Sequence, residues 1–375
     1  MKSRSRAVYS INPSVDIYKI GEDQVEFYFI TTRRRILLDI SPILILAITF
    51  VDGHRTLDDI GQIMTIDSQE LTPLFDYLLE QRVLLDIEEE AQDLSLLAKV
   101  DLDRYDRQIN YFRSAYSGGA YSQTKLLEAK VVIFGLGAIG SGIALQLAMA
   151  GVRHFILIDG ANMMSSSQER HYIFSHTEIG RAKVDIVAEH LSQIDPLISS
   201  VLHKEYILPD TDLGKFLADA SFVINTLDEP YIGFTSAKIG RVCVQKNLPL
   251  FVAGGFDAHL MSTGELIIPG KTPCVDCYLS HFTTTLAGWK PRYNVSPVER
   301  ELYEVKGRDI DFHVGGLASM ALFSISYATI TIIDYLVSQG DVKTVYGRGE
   351  CLFEDLNINY LNVQRDPKCP ICSVI

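Results

Sequence analysis

Hydrophobic and polar positions change their rhythm along the chain. Val15 to Tyr18 and Gln24 to Thr31 (QVEFYFIT) carry the aromatic, β-branched pattern of half-buried strands, and Arg35 to Ile40 reads as a third. Ser41 to Phe50 is an apolar run of helical character. Thr56 to Met64 and Asp67 to Glu80 have helical spacing, with Asp67 and Ser68 as candidate caps, before a strand-like Val83 to Ile87. Strands, three helices and a closing strand predict a small winged-helix-like α+β domain over residues 1–95. The acidic Glu88 to Glu90 and the residues up to Asp103 read as a hinge.

From about residue 130 short apolar strands alternate with helices. Lys130 to Phe134, Phe155 to Ile158, Phe222 to Asn225 and Leu250 to Ala253 are β-rich, with helical stretches between the first two and near 181–194 and 231–246. Such alternation is the signature of a doubly wound, mostly parallel sheet. The expected fold is α/β: a Rossmann-like domain over 96–375 behind the small N-terminal domain.

Composition narrows the function. A net charge of -13 speaks against a protein that coats nucleic acid, whose backbone is bound by releasing counterions to a basic surface. No apolar stretch follows the basic MKSRSRAVYS, so no secretory signal is expected and the default compartment is cytoplasmic. Gly315 to Ile333 is uncharged and nearly long enough to span a bilayer. Ser319, Ser324, Ser326, Tyr327, Thr329 and Thr331 recur through it, so a helix in a protein core is expected and no membrane partner.

The strand VVIF runs into Gly135, Gly137 and Gly140, spaced GxGxxG, and then into a helical SGIALQLAMAG. Glycines there permit a tight turn and close approach of a phosphate to N–H groups at a helix start. About twenty residues on, Asp159 closes the next strand, where a carboxylate can take a ribose hydroxyl. These features alone make a nicotinamide oxidoreductase the first expectation.

The surrounding order changes that. RYDRQI begins at Arg104, some thirty residues before the glycine loop, and SSSQERHYIF and IGRAKVD follow Asp159. This order resembles the ThiF/MoeB superfamily of ATP-dependent adenylating enzymes, with its RYxRQ, glycine-loop, SNLxRQ and GxxK motifs. The resemblance covers about 104 to 375. It implies a nucleotide site of Gly135, Gly137, Ala138, Gly140, Asp159, Ser166 and Ser167, with Arg170 and Lys183 on the ATP phosphates. It also implies that Arg107 reaches those phosphates across a homodimer interface, and that Asp228, in NTLDEP, assists Mg²⁺ and nucleotide binding. Taken singly, Lys183 is equally a solvated helix position and Asp228 a turn residue before Pro230. The chain departs from the family at Ala161, where a second acid is common, at Ser167 for the motif asparagine and at His171 for the glutamine.

Cys274 and Cys277 form CVDC, and Cys369 and Cys372 form CPIC. Two CxxC pairs supply four thiolates suited to tetrahedral Zn²⁺ with no open position, hence a structural site. The same pairs occur in ThiF/MoeB-like proteins. Cys243 and Cys351 read as packing residues, and Thr283 to Glu299, where relatives with a thioester step tend to place their nucleophile, has no cysteine. An acyl-enzyme relay is therefore not expected.

The N-terminal run ILLDISPILILAITFVDGHRTLDDI and the later FDYLLEQRVLLDI resemble PqqD-like peptide-recognition domains, which bind a leader peptide by strand addition. Together the two resemblances imply the peptide-maturing branch of the superfamily, as in microcin C and pantocin A biosynthesis. The implied partner is a short, ribosomally synthesised precursor peptide whose carboxyl or carboxamide group is activated with ATP. Adenylation of a ubiquitin-like sulfur carrier ending in Gly-Gly is the alternative. A DNA-binding regulator accounts for the winged-helix-like part only.

Overall fold

A computed structural model describes residues 6–116, 118–167, 170–171, 173–228, 232–253, 261–285, 317–342 and 347–373. The chain forms two compact units, Met1–Lys125 and Leu126–Ile375.

In the first unit, strands β1 (Tyr9–Ile11), β2 (Val15–Lys19), β3 (Gln24–Phe29) and β4 (Arg35–Asp39) precede helices α1 (Pro42–Thr49), α2 (Leu57–Met64) and α3 (Ser68–Glu80). Strand β5 (Leu84–Asp86) then pairs antiparallel with β1, while β2, β3 and β4 form a separate antiparallel sheet with β3 central. Local chemistry sets the helix starts. Thr56 accepts from the Asp59 N–H at 3.1 Å while the Asp59 carboxylate accepts from the Thr56 N–H at 2.9 Å, a reciprocal capping box. Asp67 caps α3 by accepting from the Gln69 N–H. Phe27, Phe29, Leu57, Ile60, Leu71, Phe75 and Leu78 are almost fully buried and form one core. Each such side chain stabilises the unit by about 1.5–3 kcal/mol.

Helices α4 (Ile87–Leu94), α5 (Lys99–Ala115) and α6 (Gly119–Glu128) follow. The segment expected as a hinge is thus helical. Asp86 caps α4 by accepting from the Glu88 and Glu89 N–H groups, and the acidic run Glu88–Glu90 lies in its first turn, where negative charge favours a helix.

The second unit is built on a six-stranded sheet. Its strands are β6 (Lys130–Phe134), β7 (His154–Ile158), β8 (Ser199–His203), β9 (Phe222–Asn225), β10 (Leu250–Val252) and β12 (Glu265–Ile267), in the order β12-β10-β9-β6-β7-β8. All neighbours run parallel except the edge strand β12. Helices α7 (Ala138–Ala150), α8 (Lys183–Ile194) and α9 (Ile232–Gln245) make the crossovers, as a parallel sheet requires. β11 (Met261–Ser262), β13 (Gly349–Cys351) and β14 (Ile358–Tyr360) form a small second sheet.

After α10 (Val275–Thr285) the next described helix is α11 (Ala318–Ser338). By length and composition α11 could cross a membrane. One face, including Ser324, Ile325, Ala328, Thr329 and Ile332, is buried, and the helix packs against α7. A Cβ on Gly142 would meet Ile325 Cδ1 at 2.3 Å, so glycine there admits the close approach. Residues 315 and 316 of the expected core helix lie outside the described residues.

Candidate nucleotide site and cysteine cluster

Strand order places the site. β6 pairs with β7 on one side and with β9 on the other, so the chain winds outward from β6 in one direction and later returns beside it. Such a switch point opens a crevice at the carboxyl ends of the strands. Gly135, Asp159 and Thr226 all follow directly from those ends.

The turn after β6 is locked by hydrogen bonds. Gly135 has φ +90°, and a Cβ there would lie 2.7 Å from Thr226 Oγ1. A Cβ on Gly140 would lie 2.0 Å from the Gly135 carbonyl oxygen. Thr226 Oγ1 donates to that same carbonyl at 2.8 Å. Gly137, by contrast, has nothing within 4 Å of a built Cβ, and it is the N-cap of α7 with no side-chain cap. That turn is left open for a ligand beside Ala138 and the first-turn N–H groups, the arrangement that binds phosphate.

Asp159 is nearly buried at 7% exposure. Its Oδ2 accepts from the Leu136 N–H and its Oδ1 from the Ala161 N–H, both at 2.7 Å. The carboxylate therefore braces the glycine loop from beneath. A carboxylate has about four lone-pair sites, so two remain for a ribose hydroxyl. Ala161 in turn accepts from the Lys183 N–H at 3.1 Å, and Asn162 bridges Ala182. Lys183, first residue of α8, is tied by this path to the end of β7.

Ser165–Ser167 form a 3-10 turn, and the Arg170 and His171 N–H groups donate back to the Ser167 carbonyl. Ser167 is buried; Ser166 lies in the same turn, and its side chain is outside the description. His171 is 6% exposed and stacks on Phe174, ring centroids 4.7 Å apart. Its Nδ1 and the neighbouring Arg170 Nε are buried without a hydrogen-bond partner among the described residues. Burial, then Lys183, then Arg170, push the His171 imidazolium down to about 3, so the ring is neutral near pH 7.

Asp228 is exposed at the end of the segment after β9. The fully buried Asn225 fixes that segment: its amide donates to Thr235 Oγ1 and Ser236 Oγ, and its carbonyl oxygen accepts from the Leu227 N–H. Thr235 Oγ1 donates to the Leu227 carbonyl at 2.6 Å. Asn225, Thr226 and His171 were not singled out by sequence as site residues; only the departure at His171 was visible there. Arg107 is exposed on α5, in the first unit.

The four predicted thiolates come together. Cys274 Sγ lies 3.7 Å from Cys277 Sγ and 3.5 Å from Cys369 Sγ, and Cys277 Sγ lies 3.6 Å from Cys372 Sγ. All four are buried, with ligand atoms within 4.8 Å of one another. Tetrahedral zinc with sulfur at about 2.3 Å needs sulfurs roughly 3.8 Å apart, so the cluster fits the ion. Cys243 and Cys351 are buried elsewhere, and burial pushes the Cys243 thiol up to about 12.

The ThiF family model matches residues 105–332, and the chain belongs to that family. It is an ATP-dependent adenylating enzyme. The sulfur carrier protein ThiS adenylyltransferase of Escherichia coli (strain K12) is 32% identical over 179 residues, 47% of this chain and 67% of that protein. The vegetative HesA protein of Trichormus variabilis is 30% identical over 183 residues, 48% of this chain and 64% of that protein. The matched region thus spans about two thirds of either relative. Among solved structures, E. coli MccB with ATP superposes with a TM-score of 0.73 at 20% identity, covering 97% of this chain and 99% of that one. PaaA gives 0.69 at 20% identity, covering 94% and 99%. At that identity the likeness establishes the fold.

Proposed function

We propose that this enzyme adenylates a carboxyl or carboxamide group of a short, ribosomally made precursor peptide, which an internal nucleophile then closes in the making of a peptide antibiotic. The observation that carries this is the extent of the likeness. Similarity to MccB, named as a microcin C7 biosynthetic enzyme and solved with MccA, spans 97% of the chain, whereas the ThiS adenylyltransferase match covers 47%. In the first step the substrate oxygen attacks the α-phosphorus of ATP, the bond to the β,γ-pyrophosphate breaks, and pyrophosphate leaves. Arg170 and Lys183 hold the triphosphate and offset its growing charge, Asp159, Ser166 and Ser167 meet the nucleoside end, and Asp228 would hold Mg²⁺. Bound Mg²⁺ supplies charge neutralisation on the phosphates. The Cys274, Cys277, Cys369 and Cys372 cluster holds zinc as a structural staple. Cys243 and Cys351 are buried, and Thr283 to Glu299, of which 286–299 lie outside the described residues, has no cysteine in its sequence, so the acyl-adenylate is consumed by the peptide itself.

Residues 1–95 bind the leader as an added strand. β4 is an edge of its sheet; Leu37 on it is 55% exposed, and the following helix α1 exposes Ile43 and Leu46. Main-chain bonds to β4 give affinity, and these side chains give selection. Leu37→Asp combined with Leu46→Asp should weaken binding of a fluorescent precursor peptide at least tenfold with ATP affinity unchanged; unaltered peptide binding removes this assignment.

The working form is a cytoplasmic homodimer in which Arg107 completes the partner's phosphate site. Inactive Arg107→Ala and Lys183→Ala proteins, mixed and exchanged, should regain part of the activity. No rescue in verified heterodimers counts against a shared site. The alternative substrate, a Gly-Gly-ended sulfur carrier, is favoured by the ThiS adenylyltransferase relative and uses the same ATP chemistry.

A further inference from the structure

We infer that His171 is a proton-accepting ligand of the nucleotide phosphates, neutral in the free protein and charged once the polyanion is bound. The inference rests on the ATP site proposed above and assigns a regulated contact within it. Two buried nitrogens in one turn, His171 Nδ1 and Arg170 Nε, have no hydrogen-bond partner among the described residues. Buried polar atoms are seldom left so, and each calls for an acceptor that the described residues do not supply. That acceptor should be anionic. Among the described residues, the charged groups that act on His171 are Lys183, at the start of α8, and Arg170, both cations.

The Nδ1 of His171 is closed to solvent in the free protein, so the ring must shift slightly for a phosphate to reach it. The residue is 6% exposed, its ring stacks on Phe174 at 4.7 Å with an interplanar angle of 30°, and its own backbone is tied to Ser167 and Phe174. In the free protein, burial and the two cations oppose protonation. A bound polyphosphate reverses the local sign, because an opposite charge nearby favours the ionised form. His171 then gains a proton and donates from Nδ1 to a phosphate oxygen. The sign follows: affinity rises as pH falls through the range in which the bound ring protonates. A glutamine, expected here from the family resemblance, can donate the same bond but cannot titrate.

Isothermal titration of the full-length protein with Mg²⁺ and a non-hydrolysable ATP analogue, at pH 6 and pH 8 in buffers of different ionisation enthalpy, tests this. Wild type should take up a larger fraction of a proton at pH 6 than His171→Gln, and its affinity should gain several-fold more between pH 8 and pH 6. Equal proton uptake by the two proteins overturns the inference while leaving the nucleotide site intact. No analogue binding by wild type overturns the nucleotide site itself and this inference with it. If His171→Gln is unstable, the His171 Cε1 proton signal of wild type, titrated with and without the analogue, decides the matter: an upward shift of its titration on binding supports the inference, and an unmoved one refutes it.

Discussion

The carboxylate of Asp159 holds the Leu136 N–H at 2.7 Å, joining the end of β7 to the glycine loop that follows β6. Its second oxygen holds Ala161, whose carbonyl receives the Lys183 N–H. One buried side chain thus ties the loop to the segment carrying Lys183. Asp159→Asn keeps the shape but turns an amide N–H toward one backbone N–H. Leaving such a donor unsatisfied costs about 1–3 kcal/mol. We expect Tm to fall by about 2–4 °C per kcal/mol lost and ATP affinity to fall roughly tenfold, as read by scanning calorimetry and titration. An unchanged Tm with normal ATP binding would show that the brace is dispensable.

Gly137 and Gly140 should respond oppositely to the same methyl group. At Gly140 the added carbon would lie 2.0 Å from a carbonyl oxygen, so Gly140→Ala must shift backbone and should destabilise the second unit by roughly 1–3 kcal/mol. At Gly137 the carbon enters open space, and φ of -68° suits alanine, so Gly137→Ala should fold normally yet bind ATP at least tenfold more weakly. Thermal melts alongside ATP titrations distinguish them. A Gly137→Ala protein with wild-type affinity would mean that the phosphates do not approach this turn.

How much of this was legible depended on how far each signal was local. The apolar runs at 130–134, 155–158, 222–225 and 250–253 name their own strands, because strands buried on both faces must be continuously hydrophobic. β8 (SSVLH) is an edge strand with no fully buried residue, and it offers no such run. Glu265 in β12 is a charge inside a strand, tolerated because Arg348 pairs with it at 3.1 Å from 83 residues away. The α4 cap was readable from Asp86 and the acids after it, yet a cluster of acids also marks a solvated linker. The paired CxxC spacing named the four cysteines that the fold brings together, and motif order named Arg170 and Lys183 as candidates. Asn225 and Thr226 gain meaning only when β9 comes back beside β6, and His171 only when its ring is seen buried against Phe174.

The cysteines divide by environment. Purified without added metal, the protein should carry about one zinc per chain, and Cys369→Ser should lose it and melt several degrees lower. Cys243, held protonated by burial up to about 12, should resist alkylation in the native state at pH 8, and Cys243→Ala should keep adenylation largely intact. Metal analysis finding no zinc contradicts the first expectation. Loss of activity on replacing Cys243 contradicts the second.

The central claim is that the adenylated group belongs to a short precursor peptide. Exchange of labelled pyrophosphate into ATP, with Mg²⁺ and either a candidate precursor peptide or a Gly-Gly-ended carrier protein, measures the first step directly. Peptide-dependent exchange, with AMP release and a change in peptide mass on longer incubation, is the predicted result. Exchange supported by the carrier protein and not by any peptide would contradict it and assign the enzyme to sulfur-carrier activation.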